Sequence, residues 1–467
     1  MKPQLTGEPA PGELIRKDRV DVMHPFSALH TSPHRNVVLI KKAEGALLTD
    51  SEGTEFLDGT AGLYCVNIGY GRREIAEVAA SQIKRLSFCH TFGSFTNEPS
   101  IELAHRLLDL APSNMRRVLF ATGGSDANDA QIKLVRRYNN LLGRRKKKKI
   151  IARRNSYHGA TVGAGSLTGV DAVHRTFDLP IPDVLHTLPA DYHRRPAGFS
   201  DPEQYSRYLA GQLDLLIEAE GPETVAAFIA EPVTGGTGAV VPPAGYFTEI
   251  RKVLNRHDVL MIADEVITGF GRTGSWFASP ELDIKPDLIT VAKGITSGYF
   301  PMAACLISER ISSVLYGERE ADGMFAHGHT ASGHPVGSAI ALANLDILEQ
   351  EQLPQNAAIV GQHLLSRLQE RFGSHELVGD IRGRGLLIAV ELDKDKERRQ
   401  PFDDPTSMAH RLIEACFQER LIVRGSPGKV LILLSPPLTI TETDADEIVS
   451  RLERGLTRFV AAYKAGC

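Results

Sequence analysis

Six short apolar runs constrain the fold of this chain more than any other feature of its sequence. Each run is free of polar–apolar alternation and is separated from the next by helical patterns. Runs of this kind are typical of strands that are buried on both faces, as in a parallel sheet covered by helices. They are Val118–Ala121, Lys149–Ala152, Val225–Pro232, Val259–Glu265, Leu288–Ala292 and Ala303–Ile307. The sequence therefore predicts an α/β fold built on a mainly parallel sheet.

Between the apolar runs, a helical pattern opens near Ser125, and after them another follows Pro335. The segments on either side of this region indicate a second, smaller unit. From about Gly45 to Gly71, short apolar pieces alternate with glycines, which predicts a small β meander. The last hundred residues have the pattern of an α+β unit. We expect an N-terminal arm at 1–35, a small domain from 36–75 and 340–467, and a large domain at 76–339.

Composition excludes several classes of protein. Of the 467 residues, 42% are hydrophobic and 24% are charged, and the net charge is −4, which argues against a dedicated nucleic-acid binder. No apolar run approaches ~20 residues, so no membrane span is expected. The cysteines are odd in number and form no CxxC pair, which favours a reducing, cytoplasmic location. They are Cys65, Cys89, Cys305, Cys416 and Cys467.

Two other clusters have competing interpretations. The six consecutive basic residues Arg144–Lys149, followed by Arg153 and Arg154, could bind nucleic acid or form the solvated end of a helix. We favour the solvated end, because no broad basic face with aromatic residues accompanies the run. The N-terminal histidines have no metal-ligand spacing, so no metal site is expected. They are His24, His30 and His34.

Lys293 and Asp264 are the first candidates for chemistry. Lys293 directly follows a predicted strand, and a partly desolvated lysine there can act as a Schiff-base nucleophile. Asp264 ends another predicted strand, where a carboxylate can keep the pyridinium nitrogen of pyridoxal phosphate (PLP) protonated. Taken singly, Lys293 is better explained as a solvated lysine at a strand end, and Asp264 is explained equally well as a turn-capping aspartate.

Three further motifs follow predicted strands. Gly123–Asp126 lies between a strand and a helix, so it is either a phosphate cradle or a plain helix cap. Tyr157 and His158 are either a ring-stacking pair or packing residues. Glu231 is a second carboxylate at the same edge, or a salt-bridge partner of Arg272. Because open α/β sheets bind ligands at the carboxyl ends of their strands, we expect these motifs to form one site.

In this order and spacing, the motifs resemble class III (subgroup II) aminotransferases of PLP fold type I, the fold of aspartate aminotransferase. The segments are FATGGSDAND, SYHGAT, AEPV, ADEVITGFGRTG, TVAKGITSGYFP and TASGHPV, and the resemblance runs from about Ala61 to Pro437. Within the class, the chain is most similar to amine:pyruvate (β-alanine:pyruvate) ω-aminotransferases. The resemblance implies transfer of an amino group from a primary amine or ω-amino acid to pyruvate or a similar 2-oxo acid. Decarboxylating transamination and an aminomutase reaction stay open on the same scaffold.

The resemblance also implies a role for each cofactor-site residue. Lys293 would form the Schiff base with PLP and shuttle protons, and Asp264 would pair with the pyridine nitrogen. The other implied cofactor-binding residues are Gly124 and Ser125 at the phosphate, Tyr157 and Val266 against the ring, Glu231 at its polar edge, and His158 beside Tyr157.

Two implied roles concern the neighbouring subunit and the substrate. Thr330 would bind the phosphate of the neighbouring subunit's cofactor, which implies a homodimer with shared active sites and leaves a tetramer open. Arg424 matches the family's mobile arginine, whose guanidinium grips a substrate carboxylate, although local sequence alone fits a surface arginine.

The sequence departs from the family pattern around the pocket. Tyr64 stands where these enzymes usually carry Trp, and Asp126 replaces the usual Glu. His329 and Ala331 flank Thr330 in place of aromatic residues. We expect PLP chemistry to survive these changes. Our hypothesis is that Tyr64 lines the amine side of the pocket, and that the bulk lost at Tyr64 and Ala331 admits larger or more polar amines.

Overall fold

The computed structural model describes residues 10–29, 37–317 and 324–465. His30, His34 and Cys467 lie outside these residues. The strands are β1 (Ile40–Glu44), β2 (Leu47–Asp50), β3 (Glu55–Asp58), β4 (Met115–Ala121), β5 (Lys149–Arg153), β6 (Val184–Thr187), β7 (Val225–Ala230), β8 (Leu260–Asp264), β9 (Leu288–Val291), β10 (Ala303–Ser308), β11 (Val378–Arg384), β12 (Leu387–Leu392), β13 (Leu421–Ile422), β14 (Arg424–Ser426) and β15 (Lys429–Leu434).

Helices surround these strands. The α-helices are α1 (Pro11–Asp21), α2 (Ala61–Tyr64), α3 (Arg73–Arg85), α4 (Glu98–Leu110), α5 (Gly124–Leu141), α6 (Val162–Leu167), α7 (Asp171–His174), α8 (Pro202–Glu220), α9 (Tyr246–Arg256), α10 (Ala278–Glu281), α11 (Glu309–Leu315), α12 (Pro335–Gln350), α13 (Leu353–Phe372), α14 (Pro405–Gln418) and α15 (Glu442–Lys464). A 3₁₀-helix spans Lys293–Ile295. Among the described residues, no helix is both long and apolar enough to cross a bilayer.

The central sheet has seven strands in the order β4-β10-β9-β8-β7-β5-β6. All neighbouring pairs are parallel except those of β10, which runs antiparallel to both β4 and β9. The predicted α/β fold with a mainly parallel sheet is confirmed, and the run Ala303–Ile307 is its one reversed strand. Strand β6 was not predicted, because its sequence VLHT is short and carries a histidine.

Both faces of this sheet are covered, as the uninterrupted apolar runs predict. From Ala227 to Ala230, successive residues of β7 enter different cores, since side chains alternate across a strand. Phe228 packs into one core with helices α8 and α9, whereas Ala227 and Ile229 pack into another with α5. The sheet is therefore held rigid between two layers, and its carboxyl edge is a firm base for a site.

Two four-stranded sheets make up the remainder. The first has the order β1-β2-β3-β13, and the second β11-β12-β15-β14. Strand β13 pairs in parallel with β3, where Leu421 and Ile422 lie opposite Leu57 and Asp58. The predicted meander is thus joined to the C-terminal α+β segment in one sheet.

The basic run is a solvated helix end only in part: Arg144–Lys146, shortly after the end of α5, are exposed. Lys147 is buried, and its Nζ donates to two backbone carbonyl oxygens. Arg153 ends strand β5 of the central sheet, is buried, and donates to the carbonyl oxygen of Glu231 at 2.6 Å. The expectation fails for these two residues because Arg153 is part of the buried strand β5 and Lys147 lies just before it, so both side chains point into the protein. The number of charges in the sequence does not reveal this burial. In the described part of the arm, His24 Nε2 lies 2.9 Å from Asp18 Oδ2.

Candidate active site

A cavity of about 540 Å³ opens where the loops after the parallel strands meet. Its wall includes Glu231 after β7, Asp264 at the end of β8 and Lys293 after β9. Ten of the eleven predicted site residues line it: Tyr64, Gly124, Ser125, Tyr157, His158, Glu231, Asp264, Val266, Lys293 and Arg424. Thr330 is exposed and does not line it. Motifs far apart in sequence therefore converge on one cavity.

Asp264 is buried and fixed by three neighbours. His158 Nδ1 lies 2.8 Å from its Oδ2, and the Asn128 side-chain amide donates to the same oxygen at 2.9 Å. The Val266 N–H donates to Oδ1 at 3.1 Å. Asn128 is itself oriented by Thr290, whose hydroxyl donates to its amide oxygen at 2.7 Å. This shell holds the carboxylate in one orientation at the cavity wall.

Lys293 combines a desolvated side chain with an unusual backbone conformation. Its φ of +46° lies in the left-handed region, which costs an L-residue conformational energy. Residues in this conformation cluster at functional sites. Burial lowers the pKa of its ammonium group, although Asp264 and Glu231 favour the charged form. The neutral amine is therefore easier to reach than in a surface lysine, as a nucleophile or general base requires.

A tight loop and the start of α5 form one end of the cavity. The Asp126 carboxylate accepts the N–H of Thr122 at 2.8 Å and of Gly123 at 2.6 Å. These bonds hold the loop in place, and Gly123, Gly124 and Ser125 line the cavity. The first N–H groups of a helix have no intrahelical acceptor and carry partial positive charge, which suits a phosphate.

The predicted phosphate cradle, Gly123–Asp126, packs closely against the loop that carries Gly159 and Ala160. A Cβ at Gly159, whose φ is +137°, would lie 2.6 Å from Ser125 Oγ and 2.9 Å from Ser125 Cα. A Cβ at Gly124 would meet both Val266 methyl groups at 3.2 Å. The Ala160 N–H donates to Ser125 Oγ at 3.1 Å. Glycine is needed at position 159 because no side chain fits between the two loops.

Glu231 is buried, but it is not the salt-bridge partner of Arg272. Its two carboxylate oxygens accept the N–H of Tyr157 at 3.0 Å and of Gly235 at 2.7 Å. Arg272 instead donates to the Asn67 side chain and to backbone carbonyl oxygens. Burial raises the pKa of Glu231. Glu231 therefore ties the Tyr157 loop to the loop after β7.

Tyr64 and Arg424 are neighbours in the wall of the cavity. Tyr64 is buried with a φ of +61°, and burial raises the pKa of its hydroxyl against the opposing influence of the Arg424 guanidinium. Arg424 begins β14 and is exposed, and Gly425 and Pro427 of the same hairpin also line the cavity. A neutral hydroxyl and a cation thus share this wall.

Comparison with known proteins identifies the family. Residues 29–456 match the family model of class-III aminotransferases. The chain belongs to the class III aminotransferases. The diaminobutyrate–2-oxoglutarate transaminase of Halomonas elongata is 45% identical over 96% of this chain and 97% of its own. The putrescine–pyruvate aminotransferase of Pseudomonas aeruginosa is 41% identical over 94% and 95%. The crystal structure of the ω-transaminase from Pseudomonas jessenii in complex with PMP is similar, with a TM-score of 0.93 and 39% identity over 96% and 98%.

The enzyme is therefore a PLP-dependent aminotransferase, and its cavity residues suit that cofactor. A desolvated lysine suits the aldehyde of PLP, and a fixed carboxylate suits its ring nitrogen. The N-terminus of α5, packed against Gly159 where no Cβ fits, suits its phosphate.

Several residues in and around the candidate site were not predicted. Asn128 is one, although a signal was present: it lies on the buried face of α5, which is otherwise mainly apolar. Thr122 was missed because its role depends on Asp126 four residues later. The apolar wall carried no sequence signal and consists of Phe26, Leu63, Val170, Val173, Ile267, Phe300, Pro301 and Met302.

Proposed function

We propose that this aminotransferase moves an amino group from a primary amine or ω-amino acid to pyruvate or a similar 2-oxo acid. The observation that carries the proposal is the cavity itself, which joins a desolvated Lys293, a fixed Asp264 and a cationic Arg424. One relative is named for putrescine and pyruvate, and another for diaminobutyrate and 2-oxoglutarate. These names support small amine donors and 2-oxo acid acceptors for this chain.

Bound PLP would supply an aldehyde that condenses with amines and a ring that accepts electron density. We propose that Lys293 holds that aldehyde at rest and afterwards carries the proton as general base and acid. Its lowered pKa makes the neutral, proton-accepting form more accessible than in a surface lysine. Asp264 would keep the ring nitrogen protonated, and the bonds from His158 and Asn128 would keep the carboxylate in position.

The remaining cofactor residues would orient the ring and phosphate. Gly124 and Ser125 are proposed to hold the phosphate at the start of α5. Tyr157 and Val266 are proposed to enclose the ring. Their support is that all four line the same cavity. Glu231 would act on the ring's polar edge, since it holds the Tyr157 loop by a hydrogen bond of 3.0 Å.

Arg424 and Tyr64 are proposed to select substrates. A guanidinium binds a carboxylate through two parallel hydrogen bonds, so Arg424 suits pyruvate and ω-amino acids. Because Arg424 is exposed, its side chain has room to leave the pocket for an uncharged amine. Tyr64 is smaller than Trp, which leaves space for larger donors on this wall.

We infer a homodimer with shared active sites. Thr330 is exposed, as a residue that serves a neighbouring subunit requires. The same region exposes Phe88, Phe92 and Phe95, and Thr91 Oγ1 donates to the Ser332 carbonyl oxygen at 3.1 Å. An exposed group of large apolar side chains is typical of a surface that is covered in an assembly.

We also propose the division into an arm at 1–35, a small domain at 36–75 and 340–467, and a large domain at 76–339. The pairing of β3 with β13 supports a small unit built from both parts of the chain. A cytoplasmic location is proposed on the four described cysteines, which are free.

The experiment is product analysis with purified enzyme and PLP. We expect an ω-amino acid with a stable oxo product, such as 4-aminobutyrate, or a primary amine, to react with pyruvate and give alanine and the carbonyl product in equal amounts, without carbon dioxide. Carbon dioxide released with each turnover, or an isomerised amine, would replace this proposal with decarboxylating transamination or an aminomutase.

A further inference from the structure

We propose that Lys429 and Arg382 are positioning residues that set the substrate-carboxylate end of the cavity. They would act through two segments of its wall. One is the hairpin of β14 and β15, which carries Arg424, and the other is the glycine-rich loop at residues 233–240, which carries Gly236 and Thr237. This inference rests on the proposed role of Arg424 as the carboxylate-binding residue.

Lys429 anchors the tip of the hairpin. It begins β15 directly after the turn at Pro427 and Gly428, and it pairs with Ser426 across the hairpin. Its Nζ lies 2.8 Å from Asp191 Oδ2, and both side chains are almost fully buried. Asp191 belongs to the segment between β6 and α8, so this ion pair joins the hairpin to a different part of the chain.

Arg382 anchors the glycine-rich loop. Its Nε donates to the carbonyl oxygen of Gly238 at 2.8 Å, from a position on β11. A Cβ at Gly238 would lie 2.9 Å from Arg382 Nη2, so the loop approaches the guanidinium as closely as glycine permits. Thr237, the preceding residue, lines the cavity and is buried. The position of this cavity wall therefore depends on the Arg382 side chain.

Glu391 joins the two anchors into one network. Its Oε2 lies 2.6 Å from Arg382 Nη2 and 3.9 Å from Lys429 Nζ. Its Oε1 accepts from Arg194 Nη2 at 2.6 Å, and Arg194 belongs to the same segment as Asp191. Burial raises the pKa of Glu391, but Arg382, Lys429 and Arg194 outweigh burial and lower that pKa to about 2. The network is thus charged at neutral pH and sits behind both segments of the wall.

The consequence for catalysis is selective. Arg424 is the first residue of β14, and the tip of the hairpin follows that three-residue strand. A shift of the tip therefore also moves Arg424. The floor of the cavity, with Lys293 and Asp264, is carried by the central sheet and does not depend on this network. Loss of the anchors should therefore weaken reactions of carboxylate substrates more than reactions of amines that lack a carboxylate.

The test compares two half-reactions of the holoenzyme. Lys429→Met should lower kcat/KM for pyruvate by about tenfold or more, mainly through KM, because a small displacement of an orienting group costs this much. The half-reaction with 1-phenylethylamine, which has no carboxylate, should change by less than about threefold. Lys429→Arg keeps the charge and should restore most of the pyruvate reaction. Lys394→Met is the matched control, since Lys394 forms an exposed pair with Asp403.

A double-mutant cycle separates this inference from the proposed function. Arg424→Met should itself raise KM for pyruvate. If Lys429 acts through Arg424, Lys429→Met should add almost nothing in the Arg424→Met background. Additive effects, or equal losses with pyruvate and the amine, would overturn the positioning role. If Arg424→Met leaves pyruvate kinetics unchanged, the proposed role of Arg424 fails instead.

Discussion

At the scale of single residues, Lys293 lies between opposing influences. Burial lowers the pKa of its ammonium group, and the carboxylates of Asp264 and Glu231 favour the charged form, with a net downward result. The left-handed φ of Lys293 adds strain that only a well-packed surrounding sustains. A lysine with these properties is suited to proton transfer, and its burial and backbone strain do not stabilise the fold.

Lys293→Ala should therefore remove catalysis without unfolding the protein. We expect kcat to fall by at least about three orders of magnitude, as when a covalent-catalysis residue is lost. The change is measured by alanine production from pyruvate, with circular dichroism to verify folding. Lys285→Ala, at an exposed lysine, should keep normal activity. Near-normal turnover in the Lys293 variant would contradict its assignment.

The residues that were predictable are those with a local signature. Lys293 and Asp264 each follow an apolar run, and Gly124 and Ser125 stand at a strand-to-helix junction. Arg382 and Lys429 have no such signature, because their partners Gly238 and Asp191 are 144 and 238 residues away in sequence. Contacts of that range depend on the folded topology and not on any local pattern.

At the scale of elements, burial decided which strands could be predicted. Strands β7 to β10 are buried at every position, and all four coincide with predicted apolar runs. The direction of β10 was not predictable, since a buried antiparallel strand has the same apolar pattern as a parallel one. Strand β6 lies at the edge of the sheet, where partial exposure removes the apolar signal.

The close packing of the Tyr157 loop against the start of α5 predicts that a larger residue at position 159 weakens cofactor binding. Gly159→Ala places a methyl group against Ser125, and we expect PLP affinity of the apoenzyme to fall about tenfold or more. Reconstitution of apoenzyme with PLP, followed by fluorescence, measures this affinity. Gly198→Ala is the matched control, because its φ is also positive (+97°) but its Cβ meets no atom within 4 Å. Equal PLP affinity in the two variants would count against the cradle.

The buried carboxylate of Glu391, on β12, predicts how the stability of the protein depends on pH. The pKa of Glu391 is lowered from 4.5 to about 2, so its stabilisation is full above pH 4.5 and is lost as the pH falls toward 2. A shift of this size corresponds to a stability contribution on the order of 3 kcal/mol.

Glu391→Gln should thus reduce the free energy of unfolding most at pH 7, and the difference from wild type should shrink between pH 5 and pH 3. Urea unfolding at each pH measures it. Glu376→Gln, at an exposed pair with Lys464, should change little. A difference that stays constant with pH would argue against a charged Glu391.

At the scale of the whole molecule, the proposed dimer makes a prediction about subunit mixing. If Thr330 serves the partner's cofactor, Thr330→Asp places a negative charge beside a phosphate in the other subunit and weakens PLP binding there. A mixed dimer of one Lys293→Ala chain and one Thr330→Asp chain then contains one intact site. Refolding the two inactive variants together should restore activity.

The control mixes each variant with itself, which should restore nothing. If the mixed sample stays as inactive as its parents while size-exclusion chromatography shows mixed dimers, Thr330 acts within its own subunit or not at all. A monomer that is fully active with PLP would remove the shared site altogether.

The most direct measurement of the central claim is the visible absorbance spectrum of the PLP-loaded enzyme during two successive additions. Transamination predicts that the yellow absorbance disappears when β-alanine or a primary amine is added, and that it returns when pyruvate follows. Lys293→Ala should show neither change at a comparable rate. A yellow absorbance that persists with every amine, or that disappears and does not return with any 2-oxo acid, would contradict amino transfer by this site.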